Sequence, residues 1–122
     1  MKLALALIGS TLALALALPA QAEDAGRCIN VRSIGNHTTD GNNTMYIGVS
    51  GNRSIYRATM HNNCFAGTTS SDTIVLRDRP STGRICTALD LDVTTMTSRC
   101  IVDSLTRLTP EEAAALPRGL RP

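Results

Sequence analysis

Hydrophobic positions are arranged in two ways along the chain. Residues 3–18 are almost entirely Leu and Ala with a single Ile, interrupted only by Gly9, Ser10 and Thr11. Beyond residue 22 that run gives way to short β-branched stretches separated by polar clusters. Residues 27–34 (RCINVRSI) are β-branched enough to predict a first strand. Residues 44–49 (TMYIGV) alternate, which puts Met45, Ile47 and Val49 on one face and Tyr46 on the other. Ser50-Gly51-Asn52-Arg53 is a turn signal, and residues 54–60 (SIYRATM) predict the return strand of a hairpin. Residues 73–77 (TIVLR) read as a buried strand. Residues 89–93 (LDLDV) alternate strictly, with Leu89, Leu91 and Val93 inward and Asp90 and Asp92 toward water.

Residues 99–108 carry two periods at once. Ile101, Leu105 and Leu108 have helical spacing, but the hydroxyl and β-branched content favours a strand with a bulge. The polar clusters at residues 37–43 (HTTDGNN), 61–71 and 78–83 (DRPSTG) predict turns or loops. Thr109-Pro110-Glu111-Glu112 has the signature of a helix start: Thr at the cap, Pro at the first position and Glu three residues after the cap. Pro117 stops that helix, and residues 118–122 read as a loose tail. Short strands between turn clusters, with no crossover helices, imply a mainly β fold. The expected architecture is a small antiparallel sheet or barrel of about five to six strands with a short C-terminal helix, forming a single domain over residues 23–122.

The N-terminal run reads as a cleavable signal peptide over residues 1–22. Lys2 supplies the positive charge, residues 3–18 the apolar segment, and Pro19-Ala20-Gln21-Ala22 a helix breaker followed by small residues at the inspected positions. Cleavage is expected between Ala22 and Glu23. The run falls short of the ~20 residues that span a bilayer, so an uncleaved anchor is the weaker reading. Cys28 lies six positions beyond Ala22, too far for lipid attachment at the cut. The expected location is therefore periplasmic or secreted, with no membrane contact after cleavage.

Export changes what the composition means. Lys2 is the chain's single lysine, so the exported part balances eleven arginines against ten acidic residues. Nucleic-acid binding needs clustered surplus cation, and this balance gives no case for it. Tyr46, Tyr56 and Phe65 are the only aromatics, so the core is modest and crosslinks would help it. All four cysteines, Cys28, Cys64, Cys86 and Cys100, lie after the signal. An even count in an oxidising compartment reads as two disulfides, whereas a structural zinc site favours C-x-x-C knuckles that are missing here. Three connectivities are open. The pairing Cys28–Cys100 with Cys64–Cys86 is taken as the expectation, joining the first and last strands and pinning the middle loop.

Candidate chemistry is sparse. His37 and His61 sit in polar clusters, where a solvated side chain is the simplest account. A disulfide at Cys64 would dissolve the spacing His61-x-x-Cys64 as a ligand pair, so no metal and no cofactor are expected. Asp40-Gly41-Asn42-Asn43 has oxygen donors but lacks the remaining spacing and closing Glu of a calcium loop. Asp90, Asp92 and Asp103 read as residues on wet strand faces. Arg77, Arg79 and Arg84 around the Pro80 turn are the candidate anion-binding cluster. No nucleophile elbow, H-E-x-x-H, phosphate loop or dinucleotide fingerprint occurs.

Several short motifs stand in a recognisable order: R-C-I-N (Arg27 to Asn30), I-Y-R (Ile55 to Arg57), N-x-C (Asn62 to Cys64), R-I-C (Arg84 to Cys86), R-C-x-V (Arg99 to Val102), and L-T-P-E-E with A-L-P (Leu108 to Glu112, Ala115 to Pro117). Together they resemble a proteobacterial family of small exported four-cysteine proteins classed as a domain of unknown function. The resemblance implies disulfides and a Gram-negative periplasm, and it transfers no catalytic residue.

The leading expectation is a non-enzymatic binding module for an envelope protein or a small ligand. The competing classes are a small hydrolase using His37 or His61 and a secreted inhibitor of a hydrolase. Protein purified from an exporting cell is expected to begin at Glu23 and to weigh four hydrogens less than its reduced form. An intact-mass measurement before and after reduction checks both.

Overall fold

Residues 28–122 are described by a computed structural model; the expected signal peptide and Arg27 lie outside the described residues. The fold is mainly β and antiparallel throughout. Its largest unit is a four-stranded sheet. In spatial order the strands are β2 (Ile34–Asp40), β3 (Thr44–Val49), β4 (Ser54–Met60) and β9 (Val102–Arg107). A second sheet joins, again in spatial order, β5 (Val75–Asp78), β7 (Leu91–Thr94) and β8 (Arg99–Cys100). A short ribbon pairs β1 (Ile29–Asn30) with β6 (Arg84–Ile85). The predicted five to six strands are thus distributed over nine shorter ones among the described residues, because bulges and 3₁₀ turns interrupt the longer stretches.

The hairpin β3–β4 follows its sequence signal. Met45, Ile47 and Val49 lie opposite Ala58, Tyr56 and Ser54, and all six are buried. With Met60, Phe65, Ile85, Leu91 and Val93, the five other than Ser54 form one cluster that seals the first sheet against the second. Fully burying each large aliphatic contributes roughly 1.5–3 kcal/mol. Tyr46 points to the opposite face and is buried too, packed with Leu108 and Leu116. The alternation of the strand therefore separates two cores rather than a core from water.

The second core is built by the C-terminus. Helix α1 (Pro110–Ala115) starts as predicted: Glu112 N–H donates to Thr109 Oγ1 at 3.1 Å and Thr109 N–H donates to Glu112 Oε1 at 3.2 Å. The tail is tied down, contrary to the expectation of a loose end. Arg121 donates from Nε to the Leu116 carbonyl and from Nη2 to that of Ala114, both at 2.9 Å, stitching the orphan carbonyls of the helix end. Thr38 Oγ1 donates to the Leu120 carbonyl at 2.5 Å. Pro122 lies over Gly48, where a Cβ would meet its ring at 3.4 Å.

Two other expectations are corrected and a third holds. Residues 37–40, predicted as part of a turn, belong to β2. This is an edge strand with one ladder to satisfy, so it tolerates polar residues that periodicity reads as loop. The turn itself is Gly41-Asn42-Asn43, with Gly41 at φ +65°. Leu89 is 77% exposed because residues 88–90 form a 3₁₀ turn and the alternation begins only at Leu91. At residues 99–108 the strand reading holds, and its break is Ile101, 59% exposed between β8 and β9.

The disulfide pairing also differs from the expected one: Cys28 bonds Cys86 and Cys64 bonds Cys100. Strand register explains the first. Ile29 lies opposite Ile85 and Asn30 opposite Arg84, so the next pair outward is Cys28 with Cys86, their Cα atoms 4.2 Å apart. The first strand pairs with the 84–85 segment, not with the last strand. The second bridge follows from a docked loop. His61 N–H donates to the Ile101 carbonyl at 2.8 Å. The Asn62 amide accepts from Ile101 N–H at 3.2 Å and donates to the Arg99 carbonyl at 3.5 Å. Cys64 is thereby brought beside Cys100, and the bond joins the two sheets. With sequence separations of 58 and 36, the chain-entropy relation gives each bridge about 4 kcal/mol.

Cys86 is exposed, while Cys64 and Cys100 are buried. Mild reductant on the folded protein should therefore open Cys28–Cys86 and leave Cys64–Cys100 intact until unfolding. Differential alkylation and peptide mass mapping along a reductant series check this; simultaneous loss of both bridges would contradict the burial argument.

Candidate functional site

β2 forms one margin of the four-stranded sheet, and a cleft of about 210 Å³ runs beside it. Three consecutive strand residues, His37, Thr38 and Thr39, line the cleft. Successive strand side chains point to opposite faces, so a cavity touching all three follows the backbone margin rather than either face. Register assigns the faces. His37 and Thr39 lie opposite Ile47 and Met45, on the side of the main core, while Thr38 lies opposite Tyr46, on the side of the C-terminal core. The segment from Thr68 to Ile74 closes the cleft on the first side, and Gly119 on the second.

The loop wall is held by its own polar groups. Thr68 Oγ1 donates to the Phe65 carbonyl at 2.7 Å, and the Asp72 carboxylate accepts from Thr69 N–H at 2.6 Å. Phe65 N–H in turn donates to the Asn42 carbonyl at 2.9 Å, which fastens the loop to the β2–β3 turn. The wall is therefore positioned by the same hairpin that carries His37. What it presents to the cleft is dense in hydroxyls and carries one carboxylate. Burial lowers the pKa of His37 below its ordinary value of 6.5. The imidazole is neutral at neutral pH, offering one donor and one acceptor.

The other sequence candidates separate in space. Arg77, Arg79 and Arg84 are distributed over two sheets and the turn between them. Arg84 stands on β6 opposite Asn30, in a different sheet from Arg77 on β5. Arg77 lies opposite Asp92 in the strand register, Arg79 Nη2 is 3.7 Å from Asp92 Oδ1, and Arg99 Nε donates to the same oxygen at 3.2 Å. Asp92 supplies the anion that the arginine-rich turn attracts. With both arginines more than half exposed, such pairs are worth about 0–1 kcal/mol each. Asp90 organises the backbone after β6. The amides of Cys86 and Thr87 both donate to its Oδ2 at 2.9 Å, and they hold its carboxyl below the usual carboxylate range. His61 is in the loop docked on residues 99–101, and its partner by spacing, Cys64, is consumed in a disulfide. Among the described residues no three His, Cys, Asp or Glu side chains converge to hold a metal ion.

A second depression of about 300 Å³ lies where Pro122 crosses Gly48 beside Ile55 and Arg53. It is wider and mostly apolar in surface. The β2 cleft is the better candidate because polar side chains of several kinds converge there. His37 was legible as a candidate from the sequence, but its place on a strand was not. The hydroxyls of Thr68, Thr69 and Ser70 read as a generic polar loop, since nothing local reveals which strand a loop will face.

The chain matches no protein-family model, no curated protein and no solved structure.

The lowered pKa of His37 has a pH consequence. The unfolded chain binds the proton more tightly than the folded one, so stability is whole above about pH 6.5 and falls as pH drops through that value toward the folded pKa. His37→Gln should remove this component, so its melting temperature should fall less than that of the parent between pH 7.5 and pH 5.5. Parallel thermal melts across that range test it, and identical slopes would contradict the assignment.

Proposed function

We propose that this chain is a binding module of an oxidising, non-cytoplasmic compartment, the periplasm of a Gram-negative bacterium, and that it takes a polar ligand in the cleft beside β2. The observation that carries the reading is the lining itself: neutral His37, the hydroxyls of the 68–70 segment and the Asp72 carboxylate around one cavity. Two disulfides suit an oxidising compartment, and among the described residues no helix is long and apolar enough to cross a membrane.

Binding is favoured over catalysis by what the polar groups already do. Thr38 and Thr68 direct their hydroxyl protons to backbone carbonyls, and Asp72 accepts from the backbone of its own turn. A nucleophile–base pair would need one of these hydroxyls to donate to the imidazole instead. Preorganised donors and acceptors that hold still are what a specific binding site requires.

The test is a ligand survey by NMR on the oxidised, ¹⁵N-labelled protein, using neutral saccharides, free amino acids and short peptides at millimolar concentration. Shift changes should cluster at residues 37–39, 68–74 and 119, and His37→Ala should weaken binding about tenfold, the loss of one or two hydrogen bonds. Shift changes confined to other surfaces, or none with any class, would overturn the reading. Conversion of a compound that stops in His37→Ala would replace it with the hydrolase.

A further inference from the structure

Resting on the reading of the β2 cleft as the ligand site, we infer that its ligand is an extended peptide segment of a partner protein, which adds to the sheet as a further strand along β2.

The cleft exposes a backbone margin, not only side chains. β2 pairs on one side alone, with β3, among the described residues. In an antiparallel ladder every second residue turns both its N–H and its C=O away from the paired neighbour. A seven-residue edge strand thus presents about three such outward pairs. Among the described residues, no backbone hydrogen bond joins this margin to the 68–74 segment or to the tail. Thr38 reaches the Leu120 carbonyl through its side-chain hydroxyl, so this contact uses none of the outward main-chain groups of β2. The loop and the tail stand on either side of the margin and leave the gap between them open.

Edge strands are ordinarily protected against pairing by Lys, Pro, bulges or inward charges. In β2 the register shift lies between Ile34 and His37 and the charge, Asp40, stands at the far end. The stretch that lines the cleft, His37-Thr38-Thr39, has neither Lys nor Pro. The opposite edge, β9, carries Asp103 within its length and Arg107 at its end. The unprotected stretch and the cavity therefore coincide.

The walls indicate what side chains such a peptide would carry. Its residues alternate between the two sides of the margin. Those directed to the loop side meet the Thr68, Thr69 and Ser70 hydroxyls and Asp72, which suit Ser, Thr, Asn or Lys. Those directed to the other side meet Gly119, where a Cβ would find no atom within 4 Å, leaving room for a larger residue. Main-chain bonds supply affinity and the alternate pockets supply selectivity, the usual division in strand addition.

The experiment is selection of a displayed random heptapeptide library on the oxidised protein, with counter-selection on Gly119→Trp. That substitution fills the cleft from the tail side, and the open space at Gly119 makes it compatible with folding; an unchanged melting temperature verifies this. Enriched peptides are then synthesised with N-methyl groups on one or the other alternating set of amides. One set should weaken binding about tenfold and the other by less than about twofold, the signature of a single hydrogen-bonded edge. Bound peptide should also slow hydrogen exchange at alternate amides of residues 34–40. Absence of enrichment over Gly119→Trp, equal response to both methylation patterns, or unchanged exchange in β2 would overturn the inference. If saccharides or amino acids still shift residues 37–39 and 68–74 in that case, the cleft stands as a ligand site and only the peptide assignment falls. If neither class does so, both fall.

Discussion

The crosslink between Cys64 and Cys100 is the constraint on which the rest of the structure leans. Cys64 follows β4 of the larger sheet and Cys100 ends β8 of the smaller one, so the bond ties the two layers at the buried core. It is set up by Asn62, whose amide reads the backbone on both sides of Cys100, donating to the Arg99 carbonyl and accepting from the Ile101 amide. A core with three aromatic residues in the whole chain has limited apolar surface to bury. A covalent tie that removes unfolded-state freedom compensates for what burial cannot supply.

From that tie the cleft follows by short steps. The loop that leaves Cys64 turns at Phe65, whose amide is held by the Asn42 carbonyl in the β2–β3 turn. Thr68 and Asp72 then fold the loop on itself and set its hydroxyls opposite His37. On the other side Arg121 fastens the tail to the end of α1, and Thr38 holds the Leu120 carbonyl. The two walls of the cleft thus come from segments anchored independently, one through the inter-sheet disulfide and one through the C-terminal core around Tyr46. Binding sites on rigid margins need little ordering when a ligand arrives.

The charged residues serve the scaffold more than the site. Asp92 sits among Arg77, Arg79 and Arg99, Asp90 collects the amides after β6, and Asp78 accepts from Gly83 at 2.6 Å to close the Pro80 turn. Asp90 and Asp78 satisfy backbone donors that short strands leave unpaired where they end, and Asp92 balances the arginine side chains. A chain made of many short strands has many such ends, which accounts for acids concentrated at turns.

Local patterns determined a good deal of this protein. The mainly β class, the hairpin from residue 44 to residue 60, the capped helix at Thr109 and the commitment of all four cysteines to disulfides were legible because each depends on neighbours a few residues away or on a count. The tertiary structure alone decided which cysteines meet, because pairing depends on strand register and on where a loop docks, and neither leaves a mark on spacing. It alone decided that HTTD is an edge strand, since an edge needs only half its backbone paired and permits a polar sequence that reads as turn. And it alone decided the site. His37, Thr69 and Asp72 belong to separate polar segments, and neither segment carries a local signal that it faces the other. They converge because the sheet margin and the loop are fixed by contacts at Asn42 and Cys100, which no local period encodes.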